Sequence, residues 1–325
     1  MGNVKLISFG ALILLVIMYL TAWWVSREPD LLVDEIYQSH QSLGDKAPVG
    51  YSTTTALIRV SETLLNKNGG YISNDIMPPF SFIDNMPAWE LGVLEMSRDL
   101  ALSLRKDLSR SQSQSTENIF LKVAQPQFNI DHKSWAIPSA ESEYKKAIAQ
   151  LYLYRDELVD PAKPDSQFYA RADNLRDWLK AVEKRLGSYS QRLSASVGQD
   201  RLNTDLAGEA AARQSTYAPS LRNIKTSWWK IDDEFYEARG AAWALLHFLK
   251  AVEVDFADTL ERKNAMISLR QIIRELEATQ EAIWSPMVLN GSGFGLLANH
   301  SLVMANYISR ANAALIDLSE LLSQG

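Results

Sequence analysis

Apolar side chains along this chain fall into seams with a seven-residue period. Phe168, Ala172, Leu175, Leu179, Val182, Leu186, Tyr189 and Leu193 alternate spacings of four and three without a break. Ile231, Phe235, Ala238, Ala242, Leu245, Leu249, Val252 and Phe256 repeat the pattern. Leu297, Ser301, Met304, Ile308, Ala311, Leu315, Leu318 and Leu322 follow it with one serine, and Met266, Leu269, Ile273, Leu276 and Ile283 give a shorter version. Such a repeat is the seam along which helices pack at shallow angles, in coiled coils and in bundles. A seam of about 26 residues predicts a helix of roughly 39 Å.

Shorter periodic stretches predict further helices at 31–42, 52–66, 88–107 and 139–158. Asn68-Gly69-Gly70 stops the second of these, and Ser139 reads as an N-cap for the last. Breakers between the long seams are short: Gly198 and Gly208, then Tyr217-Ala218-Pro219, then a glycine-rich turn at 290–295. Helices joined by short turns form antiparallel hairpins. The stretches 109–118 and 125–138 read as irregular, and no run of alternating β-branched residues predicts a sheet. The expected fold is all-α, an N-terminal transmembrane helix followed by an elongated antiparallel helical bundle.

The transmembrane segment is Leu6 to Ser26, twenty-one residues without a charge. As a helix it is roughly 31 Å long, against a hydrocarbon core of about 30 Å. The terminal amine and Lys5 precede it, while Arg27 is followed by Glu28, Asp30, Asp34 and Glu35. The very short tail with Lys5 favours an N-terminus inside and a body outside the cytoplasm. Trp23 and Trp24 then sit at the outer lipid–water boundary. A cleaved signal peptide fits less well, because the apolar run exceeds 7–15 residues and Leu20 occupies a position that wants a small side chain. The expected organisation is a cytoplasmic tail at 1–5, an anchor at 6–26 and a helical domain outside the cytoplasm at 27–325, with a possible subdivision at 27–138 and 139–325. A five-residue tail houses no signalling module, so any inward signal passes through another membrane protein.

Charge and composition narrow the function. The net charge is −6, with no concentrated basic patch, which disfavours nucleic acid as a partner. Without cysteine there are no disulfides, thiol catalysis or Cys-ligated metals. The four histidines, His40, His132, His247 and His300, form no HExxH arrangement, so no metal or other cofactor is expected. His247 lies off the heptad seam and reads as a partly exposed helix residue. Asp232, Asp233, Glu234 and Glu237 cluster at a helix start, where the helix dipole favours acids. Ser103-x-x-Lys106 and Ser142-x-x-Lys145 lack the companion elements that make such tetrads catalytic. Glu90 and Glu141 are candidates for a lone glycosidase-type acid, but each also fits a first helical turn.

Trp228-Trp229, Phe235-Tyr236 and Trp243 could stack on sugars or peptide, although at helical spacing core is the simpler reading. The irregular stretch Tyr71 to Trp89 alternates apolar residues with turn formers, and loops of this sort carry binding function. Tyr71, Ile76, Phe80, Phe82 and Trp89 are therefore the expected binding surface.

The phrases NGGYISNDIMPP, DNMPAWELGVLEMSRDL, SRSQSQS, SQFYARADNL and RLGSYSQRLSASVG resemble an uncharacterised family of proteobacterial inner-membrane proteins with one N-terminal membrane helix. The resemblance runs from about residue 30 to the C-terminus. It implies a Gram-negative inner membrane and a periplasmic body, and it assigns no catalytic or ligand residues. The expected role is a membrane-anchored scaffold or adaptor of the cell envelope, held in the bilayer through residues 6–26, with an envelope protein or a second copy as partner. The alternatives are a peptidoglycan-binding or peptidoglycan-processing protein and a ligand sensor acting through a membrane partner.

Overall fold

The computed structural model describes residues 2–44, 47–111, 116–163, 166–202, 221–285, 287–292 and 295–324. Gly208, Tyr217-Ala218-Pro219, part of the serine-rich run 109–118 and part of the turn 290–295 lie outside the described residues. The fold is all-α, as the seams predict. The helices are α1 (Gly2–Val25), α2 (Val33–Leu43), α3 (Tyr51–Asn66), α4 (Asn85–Ser103), α5 (Ile119–Phe128), α6 (Ala140–Val159), α7 (Ala172–Ser194), α8 (Ile231–Asp255), α9 (Ala257–Arg262), α10 (Met266–Ala278) and α11 (His300–Ser323). A five-residue π-helical turn, Leu104–Leu108, prolongs α4.

Two expectations need correction. Residues 125–128, expected to be irregular, instead form the last turn of α5: Asn118 caps this helix by accepting from the amides of Phe120 and Leu121, and Pro126 falls within it. A short antiparallel pair also exists, β1 (Gln199–Leu202) with β2 (Leu221–Ile224), too brief to show an alternating pattern.

From α3 onward the long helices alternate in direction. The amide and hydroxyl of Thr53, in the first turn of α3, donate to Asp255 at the end of α8. Lys67, just past the end of α3, pairs with Glu90 near the start of α4. Arg192 near the end of α7 pairs with Glu234 and Glu237 near the start of α8. Thus α3, α5, α7 and α10 end where α4, α6, α8 and α11 begin. That end also receives the C-terminus of α1, through Val25 against Gly69, and we call it the α1 end.

Helix α8 is the central strut, apolar on nearly every side. It lies against α4 backbone to backbone. A Cβ on Gly92 would stand 2.0 Å from the Glu237 carbonyl oxygen, and one on Gly240 would stand 2.1 Å from that of Trp89. These two glycines permit that close approach. Buried residues from both sides of position 138 share one apolar cluster, from Leu57 and Trp89 to Leu249 and Leu315. Helix α1 is apolar and long enough to cross a membrane, and of its apolar stretch only Val25, at the end, is buried in the body.

Candidate functional site at the α1 end

The loop after α3 is fastened from below by a buried ion pair. Gly69 and Gly70 take φ of 81° and 74°, conformations that favour glycine, and turn the chain back over Lys67. The Lys67 ammonium donates to the Gly70 carbonyl at 2.6 Å and meets Glu90 Oε1 at 2.7 Å. Glu90 also accepts from the amides of Ile72 at 3.0 Å and Ser73 at 2.8 Å, and from the Ser73 hydroxyl. Burial pushes the Glu90 carboxyl up, and Lys67, Ser73 and the Ile72 amide pull it back. With side chains 1% and 0% exposed, the pair is sealed from solvent. Glu90 therefore holds a loop in place and has no path to a glycan.

Further along, the Tyr71 hydroxyl donates to the His132 carbonyl at 3.0 Å, and its ring meets Tyr144 edge-on. The Asn74 side-chain amide bridges the Ser134 carbonyl and Glu141, both at 2.8 Å. The loop is thus stitched to the connection between α5 and α6. Of the five residues expected to form a surface, Tyr71 and Trp89 are instead buried, Trp89 against Trp243. Phe80 is half-buried, and Ile76 and Phe82 are exposed.

Beneath that loop lies a hollow of about 440 Å³ with mixed walls, Phe80, Ile83 and Leu91 beside Asp75, Asp84, Lys133, Lys230 and Asp233. Burial and the charges of Asp84 and Asp232 push Asp233 up to about 6. Asp232, Asp233 and Glu234 occupy the first turn of α8, with Glu237 in the next, and Glu234 and Glu237 have Arg192 as partner, at 2.6 and 2.7 Å. Among the described residues no group of three His, Asp or Glu side chains is placed to hold a metal ion.

The exit of α1 is locked to the body at three points within eight residues. Val25 is fully buried and packs on Gly69, where any Cβ would stand 2.8 Å from its methyls. Glu28 accepts from Arg239 Nε at 2.7 Å, and the rest of that guanidinium donates to the carbonyls of Thr279, Gln280 and Glu281. His247 is buried, not partly exposed as its place off the seam implied. Its Nε2 accepts from the Leu32 amide at 2.8 Å, which leaves Nδ1 as the donor to the Trp243 carbonyl at 2.7 Å. Burial pushes this imidazole down to about 4, so it stays neutral.

Beside Arg239 a second cavity, about 450 Å³ and mainly apolar, opens between α8, the segment after α10 and the start of α11. Phe235, Ile283, Trp284, Val303, Met304 and Tyr307 are among its walls. Nearby, Trp228 and Trp229 meet edge to face at 5.0 Å and are 72% and 78% exposed, whereas Phe235 and Trp243 are core. The core reading therefore holds for Phe235 and Trp243, leaves Tyr236 half-buried at the edge of the core, and fails for Trp228 and Trp229. Trp23 and Trp24 on α1 are exposed, with the Arg27 guanidinium 3.9 Å over the Trp23 ring.

The family model described as "Uncharacterized protein conserved in bacteria (DUF2333)" matches residues 2–325. The chain belongs to this family. Searches of curated proteins and of solved structures find no match. In this member of DUF2333, sequence reasoning missed Lys67, Arg239 and His247 as organising residues. A signal existed for two of them. Arg239 and His247 interrupt a run, 238–249, that is otherwise glycine and apolar residues, and a polar group inside such a helix needs a buried partner. The partner of Lys67 lies 23 positions away on another helix, and no local pattern points to it.

Proposed function

We propose that this protein is a single-pass protein of a Gram-negative inner membrane, with its N-terminus in the cytoplasm and its body in the periplasm, serving as a scaffold or adaptor in an envelope complex. The observation that carries this reading is the locked exit of α1. A body on a free tether would have no fixed attitude toward the bilayer. Here Val25 is itself buried against Gly69, and Glu28 and Leu32 each have a buried partner, so the bundle is presented in one orientation. That is what a scaffold needs from its anchor. The sealed state of Glu90 and the binding of Glu141 by Asn74 weigh against peptidoglycan hydrolysis.

Crosslinking in intact cells followed by mass spectrometry tests the reading. Recovery with an envelope protein or a second copy is expected, and recovery of the monomer alone overturns it. An alkaline phosphatase fusion after Val60 checks the topology, and an inactive fusion would sink the periplasmic placement. The apolar cavity favours a second reading, a sensor of apolar ligands. One of its walls is Arg239, the residue that holds Glu28, so occupancy there would reach the anchor. Replacing Met304 by Trp to fill the cavity should abolish such a response and leave complex formation intact.

A further inference from the structure

The seven tryptophans beyond α1 divide cleanly. Trp89, Trp178 and Trp243 are buried in the core, while Trp135, Trp228, Trp229 and Trp284 are each more than 60% exposed. All four exposed rings belong to connections at the α1 end: the α5–α6 link, the approach to α8 and the segment after α10. Ile137 and Leu296 in two of these connections, and Phe82 in the α3–α4 loop at the same end, are at least three-quarters exposed. At the opposite end the connections expose a single large apolar side chain, Val49, among the described residues. Folding does not require this asymmetry, because the core is continuous and already holds the other three tryptophans. Exposed apolar patches on soluble bodies mark contact surfaces, and rings with an apolar face and a polar edge are favoured where lipid meets water.

We propose that the α1 end is a lipid-contacting surface, whose aromatic connections rest in the interfacial layer of the bilayer that α1 crosses. The inference rests on the reading of α1 as a membrane anchor and is independent of the scaffold role. Two observations commit the surface to lipid. Val25, where the apolar helix ends, is locked against Gly69 at this end of the bundle, so the exposed rings are the part of the body nearest the bilayer. The connections of the same end carry no excess of basic side chains, Arg27, Lys133, Lys225 and Lys230 being matched by Glu28, Asp30, Asp75 and Asp84, so attraction to anionic headgroups is not the driving force. Contact comes from the rings alone. It is therefore insensitive to salt and to the fraction of anionic lipid.

The absence of cysteine makes a direct test simple. Single cysteines at Phe82, Trp229 and Trp284, with Val49 as the far-end control and Ile13 as the control within α1, are spin-labelled in the full chain. The labelled chains are placed in nanodiscs of phosphatidylcholine, with and without phosphatidylglycerol. Labels at 82, 229 and 284 are expected to meet lipid-dissolved oxygen more than an aqueous nickel chelate, as the label at 13 does, and the label at 49 to show the reverse. The pattern should not change with phosphatidylglycerol or added salt. If 82, 229 and 284 behave like 49 while 13 reads lipid, the lipid surface is refuted and the anchor stands. Aqueous behaviour at 13 would refute the anchor itself and the surface with it. Labels that are aqueous in pure lipid but shielded from both reagents in discs cut from native membranes would assign the surface to a protein partner instead.

Discussion

The two ends of the bundle solve the same problem with different chemistry. At the far end, α3 begins at Gly50, which has no side chain to cap the helix, and Asp255 of α8 takes over by accepting from Thr53 N at 2.6 Å and Thr53 Oγ1 at 2.7 Å. Neutral bonds join the connections there, Thr259 to the Ala170 carbonyl, Tyr154 to that of Gln167 and the Tyr169 amide to that of Leu108, while ion pairs of that end such as Arg105–Glu117 and Arg171–Asp173 reach solvent. At the α1 end the buried partners are ions, Lys67 with Glu90 and Arg239 with Glu28, and aromatic rings stand in the open. Burying two charges costs several kcal/mol per ion before their attraction returns it, so a fold seeking only stability closes its ends as the far end does. What the ion pairs add is position. They hold the 67–73 loop and the α1 exit in one place, and that is where the exposed rings are.

The comparison predicts unequal losses when each end is opened. Replacing Lys67 by Met strands a carboxylate among apolar groups and should lower the stability of the body by about 3–5 kcal/mol. Replacing Glu90 by Leu in the same chain should recover part of that loss, since no charge is then stranded, although the Ile72 and Ser73 amides lose their acceptor. Replacing Asp255 by Ala leaves only neutral donors unpaired and should cost about 1–3 kcal/mol. Equilibrium denaturant unfolding in mild detergent measures all three, and a larger loss at Asp255 than at Lys67 would break the contrast.

Acid sharpens it further. His247, held down at about 4 in the fold, takes up a proton below about 6.5 once unfolded. Its contribution to stability is complete above 6.5 and is lost as the pH falls toward 4, by about 1.4 kcal/mol per unit and about 3 kcal/mol over the window. Asp233 works in the other direction. Its carboxyl is pushed up to about 6, so the fold keeps a proton that the unfolded chain releases above 3.8, and stability falls as the pH rises through 6. His247→Asn should flatten the acid limb of a stability–pH curve, and Asp233→Asn should steepen it. An unchanged limb in His247→Asn would mean that the α1 exit does not depend on a neutral imidazole.

Much of this architecture is legible in the chain. The heptad seams of 168–193 and 231–256 are α7 and α8 to within a few residues, because a seven-residue apolar period has few other solutions. The α5 helix was not legible, because Pro126 and a polar approach hide a stretch only ten residues long. At the site, sequence spacing located the loop but not its facing. Tyr71 and Trp89 look as available as Phe82 until Glu90, Lys67 and His132 are seen to draw the loop inward. Long-range partners decide which aromatic is buried, and one-dimensional periodicity carries no record of them.

The smallest expected effect tests whether the exposed rings belong to the fold at all. Trp228 and Trp229 pack on each other at the approach to α8, while Trp243, fifteen positions beyond Trp228, is almost fully buried against Trp89 and His247. Changing Trp228 and Trp229 together to Ala should shift the unfolding free energy by no more than about 0.5 kcal/mol. Trp243→Ala should cost about 3–5 kcal/mol, because it opens a cavity beside the glycine-mediated contact of α4 with α8. A loss at the surface pair approaching that of Trp243 would mean that the rings brace the start of α8, and the asymmetry between the two ends would then be a matter of packing. With no such loss, two large apolar side chains have been kept in the open at no benefit to the fold, and at the end of the bundle where α1 leaves, a surface for lipid accounts for them.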